Sequence, residues 1–337
     1  MTKAIPIVKE SAVTFVYLLF AFLIFGLFLS INGTNPLLIY ENMFGSTISD
    51  SYGLGQVIVK TSPLLMIAVA TCISAKAGLV NVGGEGQFVL GAMFSTMAAV
   101  FLVPNASGFI GKIVMAAFGM LGGAIWSGIA GVMKVKAGMN ETLTTVIMNY
   151  IAFDIVAYFV YGTLKDPESF NWPQSPKISR QLELLEIAPG VSVAIIVALL
   201  TAVITWYVIK KSAKGFTLRV IGGNTAAAKH AGIDVDRIQI QAMLISGALS
   251  GFAGMLEIAG VEGRLRTTTG TNYGYFGFLA AWMAWNNPLL AILTAFVIGF
   301  LSVAGGVLEI SSGLPSSCTK ILMAIILLAI LWKGKSK

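Results

Sequence analysis

Val57-Ile-Val-Lys-Thr-Ser-Pro-Leu-Leu-Met-Ile-Ala-Val-Ala-Thr-Cys-Ile-Ser-Ala75 carries one charge in nineteen residues. A helix that crosses the hydrocarbon of a bilayer takes about 20 apolar residues. Similar segments fall at about 13–31, 87–103, 109–133, 142–162, 191–209, 239–260, 273–285, 289–307 and 318–332. Of the 337 residues 56% are hydrophobic and 11% charged, against about 25% charged in a soluble domain. Mean hydropathy is +0.85. The expected fold is all-α: a single polytopic membrane domain over residues 1–337 with ten transmembrane helices. The run Val13 to Ile31 is longer than a signal-peptide core and lacks a small-residue cleavage site, so it is read as the first span.

The positive-inside rule sets the orientation. With the N-terminus in the cytoplasm, 14 of the 22 basic residues fall on the inner side, so both termini are expected inside. The net charge of +7 then reflects topology, and no nucleic-acid partner is implied. The longest inner connection, about 210–238, is basic. The longest outer one, about 163–190, holds a mixed-charge amphipathic piece, Ile178 to Ile187, that could lie on the outer surface. The outer connection 32–55 reads as a polar loop. Cys72 and Cys318 both sit in apolar segments and read as small buried hydrophobes. One histidine, His230, excludes a multi-histidine metal centre.

Four stretches could carry function. Gly78-Leu-Val-Asn-Val-Gly-Gly-Glu-Gly-Gln87 interrupts two apolar spans with four glycines, each weakening a helix by up to about 1 kcal/mol. It holds Asn81, Glu85 and Gln87. Either this is an interrupted helix at membrane depth, where an ionisable residue marks a functional site, or it is a turn with a solvated Glu85. The fifth span opens on Asn140 and Glu141, a cap and first-turn acid, and contains Asn149 and Asp154. These two are five apart and do not share a tight helical stripe; they contact substrate or bond between helices. In the seventh span Gly247, Gly251 and Gly254 form a packing face beside Glu257, which could lie near the outer interface. Finally, within Gly215 to Ile233, Asn224 can cap a short helix through Ala227 that Gly232 ends. That helix would either dock a partner or be a basic juxtamembrane loop. No Walker A pattern, Gly-x-Ser-x-Gly elbow, His-Glu-x-x-His or Cys-x-x-Cys occurs, so no enzymatic chemistry is expected of this chain and no cofactor is expected on it.

Three stretches resemble the permease subunits of bacterial ABC importers in the branched-chain amino acid, ribose and simple-sugar group. They are Ala77-Gly-Leu-Val-Asn-Val-Gly-Gly-Glu-Gly-Gln-Phe-Val-Leu-Gly-Ala92, Asn140-Glu-Thr-Leu-Thr-Thr-Val-Ile-Met-Asn-Tyr-Ile-Ala152, and Val220-Ile-Gly-Gly-Asn-Thr-Ala-Ala-Ala-Lys-His-Ala-Gly-Ile233. Gly274-Tyr-Phe-Gly-Phe-Leu-Ala-Ala281 with Asn286-Asn-Pro-Leu289 adds a weaker fourth. Within that group the chain looks most like the longer permease of nucleoside importers. The resemblance implies a bacterial cytoplasmic-membrane protein with three partners: a second homologous permease, a cytoplasmic ATPase that uses ATP and Mg²⁺, and an extracellular substrate-binding lipoprotein. It implies a translocation path near Asn81, Glu85, Gln87, Asn149 and Asp154, and a helix coupled to the ATPase through Gly222, Asn224, Ala227, His230 and Gly232. Two features depart from the family pattern: His230 stands where an aromatic is expected, and Trp282-Met-Ala-Trp285 replaces a smaller apolar run. A simple sugar is the alternative solute. A stand-alone secondary transporter using Asp154 and Glu257 for protons, or a membrane protein that merely recruits a partner, are the rival readings.

Overall fold

The computed structural model describes residues 19–335, and the chain over that range is almost wholly helical. Its helices are α1 (Leu19–Ile31), α2 (Pro36–Phe44), α3 (Ser51–Lys76), α4 (Gly84–Met97), α5 (Gly108–Ala137), α6 (Glu141–Tyr161), α7 (Ala194–Lys211), α8 (Ala213–Gly223), α9 (Thr225–His230), α10 (Val235–Glu257), α11 (Tyr273–Met283), α12 (Pro288–Ser312) and α13 (Cys318–Lys335). Short π turns extend α4 to Leu102 and α10 to Glu262. Each of the ten apolar segments meets a helix; the part of the first at 13–18, with Lys3 and Lys9 before it, lies outside the described residues. Among the described residues seven helices are long and apolar enough to cross a membrane: α3, α4 with its π turn, α5, α6, α7, α10 with its π turn, and α12. The segment expected at 273–285 gives α11, of 11 residues. At 1.5 Å per residue that is about 16 Å, half a bilayer core.

Local signals account for the boundaries. Asn140 caps α6 by accepting from Leu143 N at 3.1 Å, and Glu141 pairs with Lys134 at 2.8 Å. Asp234 caps α10 through Arg237 N at 3.1 Å. The expected loop at 32–55 is instead largely helical. Asn35 caps α2 through Leu37 N at 3.0 Å, and Pro36 stands at the first helical position, where its missing N–H costs nothing. The expected surface-lying piece at 178–187 is a 3₁₀ turn (Arg180–Leu182) and a strand, β1 (Glu186–Ala188), paired with β2 (Val191–Ser192). It is clamped by backbone bonds from Ile178 N to Gly263 O (2.9 Å) and Leu184 N to Ala259 O (2.7 Å), with Leu182 buried.

The chain groups into two compact units, one up to Lys60 together with Val297 onward, the other Thr61–Phe296. In the first, Tyr40 donates to Phe22 O at 2.6 Å and its ring meets Phe22 edge-on; burial pushes its phenol up to about 12. In the second, α4 is the central helix and is buried on nearly every side. A helix enclosed all round needs neighbours that approach closely, and glycine supplies them. A Cβ on Gly91 of α4 would overlap Gly251 of α10, and one on Gly123 of α5 would overlap Gly247 and Gly251. The expected packing face of α10 is thus in contact backbone to backbone with α4 and α5. Glu257 is buried there, away from any surface, and accepts from Tyr273 Oη at 3.2 Å. Cys72 is buried, Cys318 is partly buried, and both are free thiols.

Candidate functional site

Between α3 and α4 the backbone leaves helical form over Ala77–Gly83. Gly78 makes the turn with φ +76°, which a residue bearing Cβ adopts only at a cost. The segment then runs through the protein: Leu79, Asn81 and Gly83 are buried. Irregular backbone in such a place needs partners for its polar groups, and side chains from α6, α10 and the break itself supply them. Gln239 Nε2 donates to Ala77 O at 3.2 Å. Thr145 Oγ1 accepts from Val82 N at 3.2 Å. Asn149 works on both sides of the break, donating to Val82 O (3.0 Å) and accepting from Gly86 N at the start of α4 (2.9 Å). Asn81 accepts from Gly83 N at 2.9 Å, donates to Ser246 Oγ at 3.0 Å, and forms a reciprocal amide pair with Gln87 at 3.0 and 3.3 Å.

Glu85 faces the other irregular segment. Its carboxylate accepts from the backbone N–H groups of Asn272, Gly274 (2.6 Å) and Tyr275 (3.3 Å), and the residue is 2% exposed. These are orphan donors at the start of α11, where the helix dipole favours an anion. Gly274 lets the two helix starts touch, since a Cβ there would overlap Glu85 N and Cα. One carboxylate therefore holds the N-terminus of a half-length helix against that of α4.

Asn81, Glu85, Gln87 and Asn149 thus form one connected set. Asp154 does not join it. Asn149 lies on the inner face of α6, and Asp154 is exposed on the outer one with Leu143, Ile147, Tyr150, Tyr158 and Tyr161. These positions recur at steps of three and four, a single helical stripe. A carboxylate inside a candidate span is costly to leave in hydrocarbon. Tyr275 stands beside the set: its hydroxyl accepts from Asn149 Nδ2 at 3.4 Å. Thr145, Gln239, Ser246 and Tyr275 are absent from the sequence-based set. Thr145 stands four residues before Asn149, so one inward polar face of α6 could have been read; the other three carry no local signal.

The second expected site is at one end of this unit. Asn224 caps α9, accepting from Ala227 N at 3.0 Å, and Gly232 turns the chain with φ +78°. Ile221, Ala228 and Val235 form a small core under α8, α9 and the start of α10. Asn224, Ala227, His230 and Gly232 are exposed above it. Gly222 rests on the end of α3: a Cβ there would stand 2.5 Å from Lys76 O, and Gly78 faces its Cα. The α8–α9 element therefore bears directly on the start of the break, three residues before Asn81.

A buried, interrupted helix pair with a polar stripe beside it, in a bundle of membrane-length helices, defines a multi-pass membrane protein. The profile of the family described as branched-chain amino acid transport system / permease component matches residues 53–331, and the chain belongs to that family. It is 30% identical over 306 residues to the glucose ABC transporter permease protein of Haloferax volcanii (87% of this chain, 80% of that one). Two Bacillus subtilis proteins are also similar: one guanosine ABC transporter permease protein at 31% over 300 residues (86% and 84%) and a second at 26% over 284 residues (81% and 88%).

Proposed function

We propose that this chain is one of two homologous permease subunits of an ABC importer for nucleosides in the bacterial cytoplasmic membrane. ATP and Mg²⁺ are used by a separate ATPase, and a substrate-binding lipoprotein delivers the solute. The chain crosses the membrane with both termini inside, in keeping with its charge asymmetry, and acts as one permease domain. The observation that carries the mechanism is the seating of Gly222 on the carbonyl end of α3. The ATPase grips the exposed face of α9 at Asn224, Ala227, His230 and Gly232. Displacement of α8 is passed through Lys76–Gly78 to the break. Asp154, Tyr150, Tyr158 and Tyr275 line the path with hydroxyl and carboxylate groups, and Asn149 reaches it through Tyr275. Asn81, Glu85 and Gln87 form the wall behind. Such a wall matches a neutral solute rich in hydroxyls and ring nitrogens.

Two guanosine permeases from one organism support both the solute and the paired subunit. The glucose permease of similar identity supports a second reading, the same machinery carrying a simple sugar. The test is co-reconstitution of this chain with its partner permease, ATPase and binding protein in liposomes, with labelled guanosine outside. Uptake that stops when the ATPase Walker lysine is replaced is expected. Uptake of a sugar alone overturns the solute, and gradient-driven uptake by this chain without an ATPase overturns the mechanism.

A further inference from the structure

A cavity of about 480 Å³ opens where α3 and α7 end, α8 passes and α12 begins. Lys76, Lys210 and Arg219 line it among the apolar walls of Trp206, Trp285 and Ile209, and no carboxylate does. The three cations make no ion pair among the described residues. Two of them are instead aimed by neutral groups. The Lys210 ammonium lies 5.0 Å over the Trp206 ring, and the Arg219 guanidinium donates to Ile209 O and stands 5.9 Å from the Phe216 ring. Five guanidinium donors leave Arg219 several to spare. The wall itself is built against backbone preference: Trp285 and Asn286 have φ of 54° and 52°, a left-handed pair in which neither residue is glycine. Converging cations repel one another until an anion joins them. The size is that of a small-ligand pocket. Lys76 is the last residue of α3 and Lys210 the penultimate one of α7, so the cavity lies at the depth where hydrocarbon gives way to headgroups, flanked by indoles that favour that depth.

We propose that this cavity binds a phosphate ester, with the headgroup of an anionic phospholipid such as phosphatidylglycerol as its occupant. The phosphate bridges Lys76, Lys210 and Arg219, and the acyl chains leave along the apolar wall. The proposal stands apart from the transport reading. Where that reading holds, it has a consequence: a phosphate that joins Lys76 of α3 to Arg219 of α8 ties together the two elements whose contact at Gly222 transmits motion.

The test is native mass spectrometry of the purified full chain in detergent, titrated with phosphatidylglycerol and with phosphatidylcholine. Wild type is expected to prefer phosphatidylglycerol. The double variant Lys76→Gln/Lys210→Gln is expected to lose about thirtyfold of that preference, roughly fivefold for each basic residue removed. Lys211→Gln/Lys214→Gln removes the same charge beside the cavity and is expected to keep the preference. Competition by millimolar glycerol phosphate or inorganic phosphate would sustain the phosphate site with a soluble occupant. Equal binding of the two lipids by wild type without competition by phosphate, or equal losses in the two double variants, overturns the proposal. Matched thermal midpoints of the variants exclude misfolding as the cause.

Discussion

Glu85 and Asp154 are carboxylates in opposite surroundings, one buried and one exposed. Glu85 satisfies three backbone donors of α11. Glu85→Gln keeps the shape but turns an amide N–H₂ toward those donors and removes the charge that the helix start favours. Leaving buried donors unmet costs about 1–3 kcal/mol, so the thermal midpoint in detergent is expected to fall, and an unchanged midpoint would show that the three bonds are dispensable. Asp154 makes no hydrogen bond or ion pair among the described residues and is exposed in the single chain. Asp154→Leu is expected to leave the stability within about 0.5 kcal/mol of wild type, as surface changes do, while uptake by the reconstituted importer falls at least tenfold. Full uptake would remove Asp154 from the path. The sequence made both residues candidates because an acid in an apolar segment is conspicuous at any orientation. It could not tell them apart. Their difference lies in partners 187 residues distant for Glu85 and in which face of α6 turns outward for Asp154.

At the scale of elements, the capped helix starts were legible because a cap is read within four residues: Asn140 for α6 and Asn224 for α9. The break at 78–87 was legible from its glycines, and so was the packing face of α10. The half-length α11 was not, since Tyr273 to Trp285 is as apolar as any span and only the αL residue Asn272 and the turn at Trp285 shorten it. Helix α2 was hidden by the polar residues around it. Two substitutions test the transmission proposed through α8. Gly222→Val places methyls against Lys76 O, which the small core of Ile221, Ala228 and Val235 cannot yield to without lifting α8. Gly232→Pro demands a φ near −65° where the chain has +78°. Both are expected to abolish uptake while the permease pair still copurifies. Normal uptake in either would break the link between α9 and transport.

At the scale of the whole molecule, α6 presents an unpaired stripe that no bilayer suits and no part of this unit covers. Expressed with its homologous partner, the chain is expected to yield a stable pair. Tyr158→Cys in a background of Cys72→Ala and Cys318→Ala is then expected to react with a water-soluble maleimide, and to be protected by saturating guanosine when the ATPase is held in one nucleotide state. A thiol that stays unreactive in the assembled importer would place this face against lipid or sealed protein. Gly91→Val tests the centre of the unit: its side chain has nowhere to go but into Gly251 of α10. Overpacking typically costs about 1–3 kcal/mol even where neighbours can shift, and a backbone cannot, so loss of the monodisperse peak in size-exclusion chromatography is expected. The apolar periodicity made the bundle legible as a bundle. The order of contact around α4 was not, because backbone-to-backbone packing leaves only a surplus of glycine in the sequence and says nothing about which glycine meets which.

The seat of Gly222 on Lys76 is a joint between main chains. No side chain of the proposed path takes part in it, and none of those side chains is needed for the joint to close. On the proposed mechanism, mutation can therefore repaint the channel wall, exchanging a hydroxyl for an amide or a small group for an indole, without altering the gearing proposed to drive it. A lineage built this way can change its cargo many times and keep a single engine.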